Sequence, residues 1–292
     1  MKLFFLALGL AISVSLRAPA QVAVEVVLEQ EQFLPSESMP VAVRITNRSG
    51  QPLHLGAEAN WLTFDVEGAD GLIVLKNAEV PVVGEFELNS SQVATKRVDL
   101  APYFGMTQPG RYHVTATVRV KAWGTEIASP VKNFDVITGA RIWSQDFGMP
   151  PSAGATNRPP EVRKYTLQKA NYLRAQLRLY VEVSDATESR VFKVVNIGKT
   201  VSFSTPEIQL DRLSNLHLVW QSGAAHFTYA VVSPEGALLR QEVYDYASSG
   251  PRPRLSMADD GTVTVYGGVR RVQPEPMPMV KSPNDLSGPG MP

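Results

Sequence analysis

Three observations predict an all-β chain: an antiparallel sandwich followed by a smaller antiparallel β unit built from repeats. In residues 108–121, Tyr112, Val114, Ala116, Val118 and Val120 recur at every second position, while His113, Thr115, Thr117, Arg119 and Lys121 fill the alternate ones. A period of two describes a strand with one face buried and the other wet. No stretch carries a convincing helical period, so no helices are expected to cover a parallel sheet. Finally, the pattern of proline and apolar positions in residues 206–219 returns in residues 253–266 at a constant offset of 47.

Residues 1–20 read as an export signal. Lys2 gives a basic start, residues 3–16 are mostly apolar, and Ala18-Pro19-Ala20 offers small residues for cleavage after Ala20. The apolar run is shorter than the roughly 20 residues needed to cross a bilayer. No later segment is longer, and no cysteine can carry a lipid. The mature chain is therefore expected to be periplasmic or extracellular, with no membrane span after cleavage. Cleavage removes Lys2 and Arg17 and no acid, leaving a near-neutral chain. Such a balance makes no electrostatic case for nucleic acid or an anionic membrane. Without cysteine there is no disulfide framework, so the fold must rest on buried apolar surface.

Residues 21–138 read as short alternating runs between turns. Val22, Val24, Val26 and Leu28 share a face, and Pro35-Ser36-Glu37-Ser38 breaks the run. Val41, Val43 and Ile45 follow, and Asn47-Arg48-Ser49-Gly50 turns the chain. Leu62, Phe64 and Val66 alternate with Trp61, Thr63 and Asp65 ahead of the turn Gly68-Ala69-Asp70-Gly71. Weaker runs lie at 72–75, 80–83, 86–88 and 98–100, and a last strand runs through Phe134 and Val136. About seven to nine strands at this spacing describe an antiparallel sandwich.

Tyr112, two residues after Pro109-Gly110, is similar to the tyrosine corner of immunoglobulin-like sandwiches, with a buried ring and a hydroxyl bonded to nearby backbone. With Leu34-Pro35, residues 41–47, Ser49-Gly50-Gln51-Pro52-Leu53 and residues 62–71, it gives most of residues 30–120 a resemblance to bacterial immunoglobulin-like modules, including the BsuPI-type proteinase-inhibitor domain. The matching positions are turn glycines and core apolars, so the resemblance implies a sandwich; proteinase inhibition is what the family name implies.

Residues 139–162 read as a proline-rich linker, with Ile142, Trp143 and Phe147 docking on one of the two units. In residues 163–271 the 47-residue repeat resembles β-propeller blades of four short strands, with room for about two. One such unit would comprise residues 216–221, 227–232, 238–244 and 254–257. An open β unit leaning on the sandwich is the expected outcome. Residues 272–292, with prolines at 274, 276, 278, 283, 289 and 292, are expected to be a disordered tail.

Few residues suggest chemistry. The four histidines are scattered, which predicts no metal site and no cofactor. His113 and His217 fall on the outward parity of strands. Ser222-Gly223-Ala224-Ala225-His226 sets a serine near a histidine, but a hairpin turn explains those small residues. Asp65 with Asp70, and Asp259-Asp260, sit at glycine turns. Glu242, Tyr244, Asp245 and Tyr246 remain as ligand contacts, expected to converge on one concave surface suited to sugar. Trp61, outward by parity, and Trp123, at a turn, complete the candidates. Taken together these features predict a non-catalytic exported protein with a binding or structural role at the cell envelope, its partner another envelope protein or a polysaccharide. A secreted proteinase inhibitor and a carbohydrate-binding or carbohydrate-acting module are the alternatives.

Overall fold

The computed structural model describes residues 21–150, 161–246 and 250–271; the expected signal at 1–20, the tail and residues 151–160 of the expected linker lie outside them. The N-terminal strands are β1 (Val22–Leu28), β2 (Gln32–Phe33), β3 (Pro40–Asn47), β4 (Leu53–Leu55), β5 (Leu62–Gly68) and β6 (Leu75–Lys76). They continue with β7 (Phe86–Leu88), β8 (Val93–Asp99), β9 (Phe104–Gly105), β10 (Gly110–Val120), β11 (Thr125–Ala128) and β12 (Lys132–Val136). The later strands are β13 (Ala140–Gly148), β14 (Val162–Tyr172), β15 (Gln176–Asp185), β16 (Val191–Thr200), β17 (Glu207–Leu210) and β18 (Leu216–Gln221). Last come β19 (His226–Val232), β20 (Leu238–Asp245), β21 (Arg254–Met257), β22 (Val263–Tyr266) and β23 (Val269–Arg270). No α-helix occurs among the described residues, so the chain is all-β.

Strand β10 sits at the centre of the first unit. It pairs antiparallel with β5 on one side and with β11 and β12 on the other. Its predicted alternation holds, since Tyr112, Val114, Ala116, Val118 and Val120 are all buried. The three-stranded sheet β1-β3-β8 faces it, and Val24, Val26, Val43 and Ile45 close one core with Phe64, Val114 and Phe134. Tyr112 is buried, and its hydroxyl donates to the Gln108 carbonyl at 2.6 Å. Asn47, fully buried, donates to the Gln51 and Leu88 carbonyls, which satisfies the amide that turns the chain. The runs expected at 72–75 and 80–83 form no strand there beyond Leu75, although Val80 and Val82 are buried.

The second unit is also a face-to-face pair of sheets. The four-stranded sheet β13-β14-β15-β16 packs on the sheet β17-β18-β19-β20-β23 through Tyr165, Leu167, Leu179, Val181, Leu218 and Trp220. The linker expected at 139–162 is corrected here. Residues 140–148 form β13, whose Phe147 is buried against Tyr165 at a ring distance of 4.1 Å, with Trp143 packed on the same core. A run of exposed polar residues hid an edge strand, because an edge strand needs only one or two inward apolar anchors.

The 47-residue repeat corresponds to two hairpins of identical register. Glu207 pairs with Val219 and Leu210 with Leu216; Arg254 pairs with Tyr266 and Met257 with Val263. Their turns match too, with Ser214 at φ 60° and Gly261 at φ 80° in the left-handed region. The expected four-strand unit is corrected in its last member. β21 pairs with β22, not β20, and this hairpin lies over the far face of the five-stranded sheet, where Leu255 and Val265 meet Val219, Phe227, Tyr229 and Val231.

The two units meet at a small polar and apolar seam. Leu34 is buried among Ala170, Tyr180 and Val194, with Ile137 beside them, and Glu37 bridges to Val194 in parallel. The Leu173 N–H donates to Gln32 Oε1 at 2.6 Å, and Arg178 donates to Gln30 Oε1 at 3.3 Å.

Candidate functional site

Trp61 and Trp123 do not form a surface pair. Trp61 lies just before β5, where the chain bends and alternation does not yet apply. Its ring is 2% exposed, stacks edge-on against Phe86 and donates from Nε1 to the Val82 carbonyl at 2.8 Å. The outward placement is therefore corrected: Trp61 is a core residue. Trp123 ends a single 3₁₀ turn closed by left-handed Gly124, half-buried against the same core.

The convergence expected of Glu242, Tyr244, Asp245 and Tyr246 is corrected as well. Tyr244 and Tyr246 pack with Phe227 and Tyr229 on the face covered by the β21–β22 hairpin, and the Tyr244 hydroxyl donates to Glu242 Oε2 at 3.0 Å. Asp245 points to the other side, as strand alternation requires, and meets His226 and Arg271. Burial, then the Glu242 hydrogen bond, raises the Tyr244 phenol to about 12.

Those two partners of Asp245, His226 and Arg271, line a cleft of about 550 Å³ beside β20. Its walls come from the end of β16, the β18–β19 turn, β20 and β23. Ser222 and Thr228 supply hydroxyls, Gln241 an amide, His226 an imidazole, and Lys199, Arg270 and Arg271 the cationic donors. Gln241 donates from Nε2 to the Ile197 carbonyl at 2.8 Å and ties β20 to β16 across the two layers. His226 opposes Asp245 in register, and its Nδ1 lies 2.7 Å from Asp245 Oδ1. Arg271 grips the same carboxylate with Nε at 3.1 Å and Nη2 at 3.0 Å. The Arg271 hydrogen bond, then that of His226, holds the Asp245 carboxyl below the usual range. Thr228 donates to Ser222 Oγ at 2.8 Å, and Ser222 Oγ lies 3.4 Å from the His226 carbonyl.

A second polar chain runs through the five-stranded sheet. His217, placed at the surface by its parity, is buried instead. Its Nδ1 lies 2.8 Å from the Tyr229 hydroxyl and its Nε2 3.2 Å from Asp211 Oδ2. His113 stays half-exposed and meets Asn133 Oδ1 at 2.7 Å.

Of the sequence candidates, the cleft holds only Glu242 on its wall and Asp245 through His226 and Arg271. Lys199, Thr228, Gln241, Arg270 and Arg271 had no motif to announce them. His226 and Asp245 could have been paired from the turn at Pro234-Glu235-Gly236, but Leu239 is an extra residue in β20. Val232 opposes Leu238 while Val231 opposes Arg240, so the register slips by one. A bulge of this kind reverses which side chains share a face.

No protein-family model and no curated protein matches the sequence. Among solved structures, the chain is similar to Spo0M, a sporulation control protein from Bacillus subtilis, at 9% identity over 70% of this chain and 80% of that one, with a TM-score of 0.32. No helix among the described residues is long and apolar enough to cross a membrane.

Proposed function

We propose that the chain is an exported, non-catalytic binding protein of the cell envelope whose ligand occupies the cleft beside β20. The observation that carries this reading is the state of Ser222. A serine nucleophile needs its hydroxyl hydrogen-bonded to the base that deprotonates it. Here the hydroxyl accepts from Thr228 and is directed to the His226 backbone carbonyl, while the imidazole is held by Asp245. The Asp–His pair therefore acts as a fixed polar wall. Several convergent polar groups in a concave site of this volume are what a ligand pocket requires. The export part of the reading rests on residues 1–20, and the seam at Leu34 and Glu37 supports a two-unit body that holds the cleft at one end.

The test is sedimentation of the purified chain with isolated envelope fragments, beside a panel of hydrolase substrates. Retention on the fragments that weakens in Arg271→Ala supports the proposal. Turnover that disappears in His226→Ala would replace it with an enzyme, and failure to sediment would remove the binding role.

A further inference from the structure

The hydrogen-bonding capacity of the cleft is unevenly spent. Asp245 Oδ1 is engaged by His226 and Arg271, and Oδ2 by Arg271. Glu242 Oε1 is engaged by Arg270 Nη2 at 3.0 Å, and Oε2 by Tyr244. Every carboxylate oxygen at the site already has a protein donor. The donors are in surplus: a lysine ammonium carries three N–H groups and a guanidinium five, and neither has an acceptor. The exposed Lys199 ammonium has no partner among the described residues, and Arg270 and Arg271 each keep unused N–H groups outward of their ion pairs. Three cations, Lys199, Arg270 and Arg271, stand against the two carboxylates Glu242 and Asp245, so the excess charge is positive even with His226 neutral. A ligand entering this cleft meets donors that want acceptors, and any acid it brings finds no carboxylate left unpaired to repel it.

We infer that the cleft takes an oxyanion, a carboxylate or phosphate group borne by the ligand, bound by Lys199 with the outer N–H groups of Arg270 and Arg271. This rests on the binding reading above and specifies the ligand chemistry of the same site. Guanidinium groups held rigidly by Asp245 and Glu242 are pre-oriented for such a group, and charge-assisted bonds of this kind are about twice as strong as neutral ones. Two sources share the chemistry: the carboxylates of an acidic polysaccharide, and a phosphate or phosphodiester.

The experiment is a titration of the ¹⁵N-labelled full chain with tetragalacturonate, with inorganic phosphate and with neutral maltotetraose, read at the backbone amides of residues 198–200, 222–228 and 269–271. One or both anions should move these signals, and the one that binds more tightly identifies the source. Lys199→Gln, whose side chain has no structural partner to lose, should weaken that affinity about tenfold while leaving the remaining spectrum unchanged. Maltotetraose moving the same amides as strongly would overturn the oxyanion assignment and leave the binding role intact. Anion affinity unaffected by Lys199→Gln would also overturn it. If no probe moves the cleft amides the assignment falls, and envelope sedimentation of the unmodified chain decides separately whether the binding role falls with it.

Discussion

Glu37 makes the seam between the two units sensitive to pH. Its side chain is buried, the residue being 5% exposed, where the N-terminal sandwich meets β16. Oε2 accepts the Leu34 N–H at 2.7 Å and Oε1 accepts from Gln30 at 2.8 Å. Burial raises its pKa from 4.5 to about 7, with the Leu34 and Gln30 hydrogen bonds and the Arg178 charge pulling the other way. Lys193 lines the clefts on both sides of the seam, and the Tyr180 hydroxyl beside it is buried without a hydrogen bond. A carboxyl whose folded pKa lies above its unfolded one favours the folded state fully below pH 4.5, and that advantage is lost as pH rises through 7. The displacement corresponds to about 3 kcal/mol between the two limits.

Glu37→Gln removes the proton while keeping an acceptor for Leu34. The measurement is urea unfolding of the wild type and the variant at pH 5, 6, 7 and 8. All other titrating groups are common to both chains, so the difference in unfolding free energy isolates Glu37. The wild type should lose stability relative to the variant by about 2–3 kcal/mol from pH 5 to pH 8, with most of the change between pH 5 and 7. A difference that stays constant, or a wild type that gains on the variant as pH rises, would show that the carboxyl is ionised throughout and that its two hydrogen bonds outweigh burial.

Other perturbations follow from the same packing. Trp61→Ala should cost about 3–5 kcal/mol in denaturant unfolding, because it empties a core site and strands the Val82 carbonyl, whereas half-buried Trp123→Ala should cost distinctly less. Tyr112→Phe should cost about 1 kcal/mol, the net value of the hydroxyl bond to Gln108, without altering the fold seen by circular dichroism. Arg271→Ala should move the Asp245 carboxyl titration upward toward the ordinary range when followed by carbon-detected NMR, since Arg271 is the first of the groups holding it down. Gly261→Ala should destabilise by about 1 kcal/mol or more, because φ of 80° disfavours a side chain and the added carbon would meet Arg212 at 2.6 Å.

Much of this architecture is legible in the chain by itself. The two-residue rhythm of Tyr112 to Val120, the corner at Tyr112, the Asn47 turn and the 47-residue hairpin repeat are local, because backbone geometry ties side-chain direction to sequence parity within one strand. Parity fails where a strand has not begun, as at Trp61, and where a bulge adds a residue, as at Leu239. It also says nothing about which sheet covers a face. His217 is buried although its strand parity is that of a single sheet's outer side, because Tyr229 and Asp211 enclose it there.

The cleft lay beyond sequence reasoning for a further reason. Lys199, His226 and Arg271, and the Asp245 that the last two hold, come from β16, the start of β19, the residue after β23 and the end of β20, and only the pairing of those strands brings them within reach. The sequence by itself determined that the chain is all-β, where most strands run and which residues repeat. The tertiary structure decided what each face meets and where unspent donors gather, since contacts between strands distant in sequence depend on register and layer packing, which no local pattern encodes.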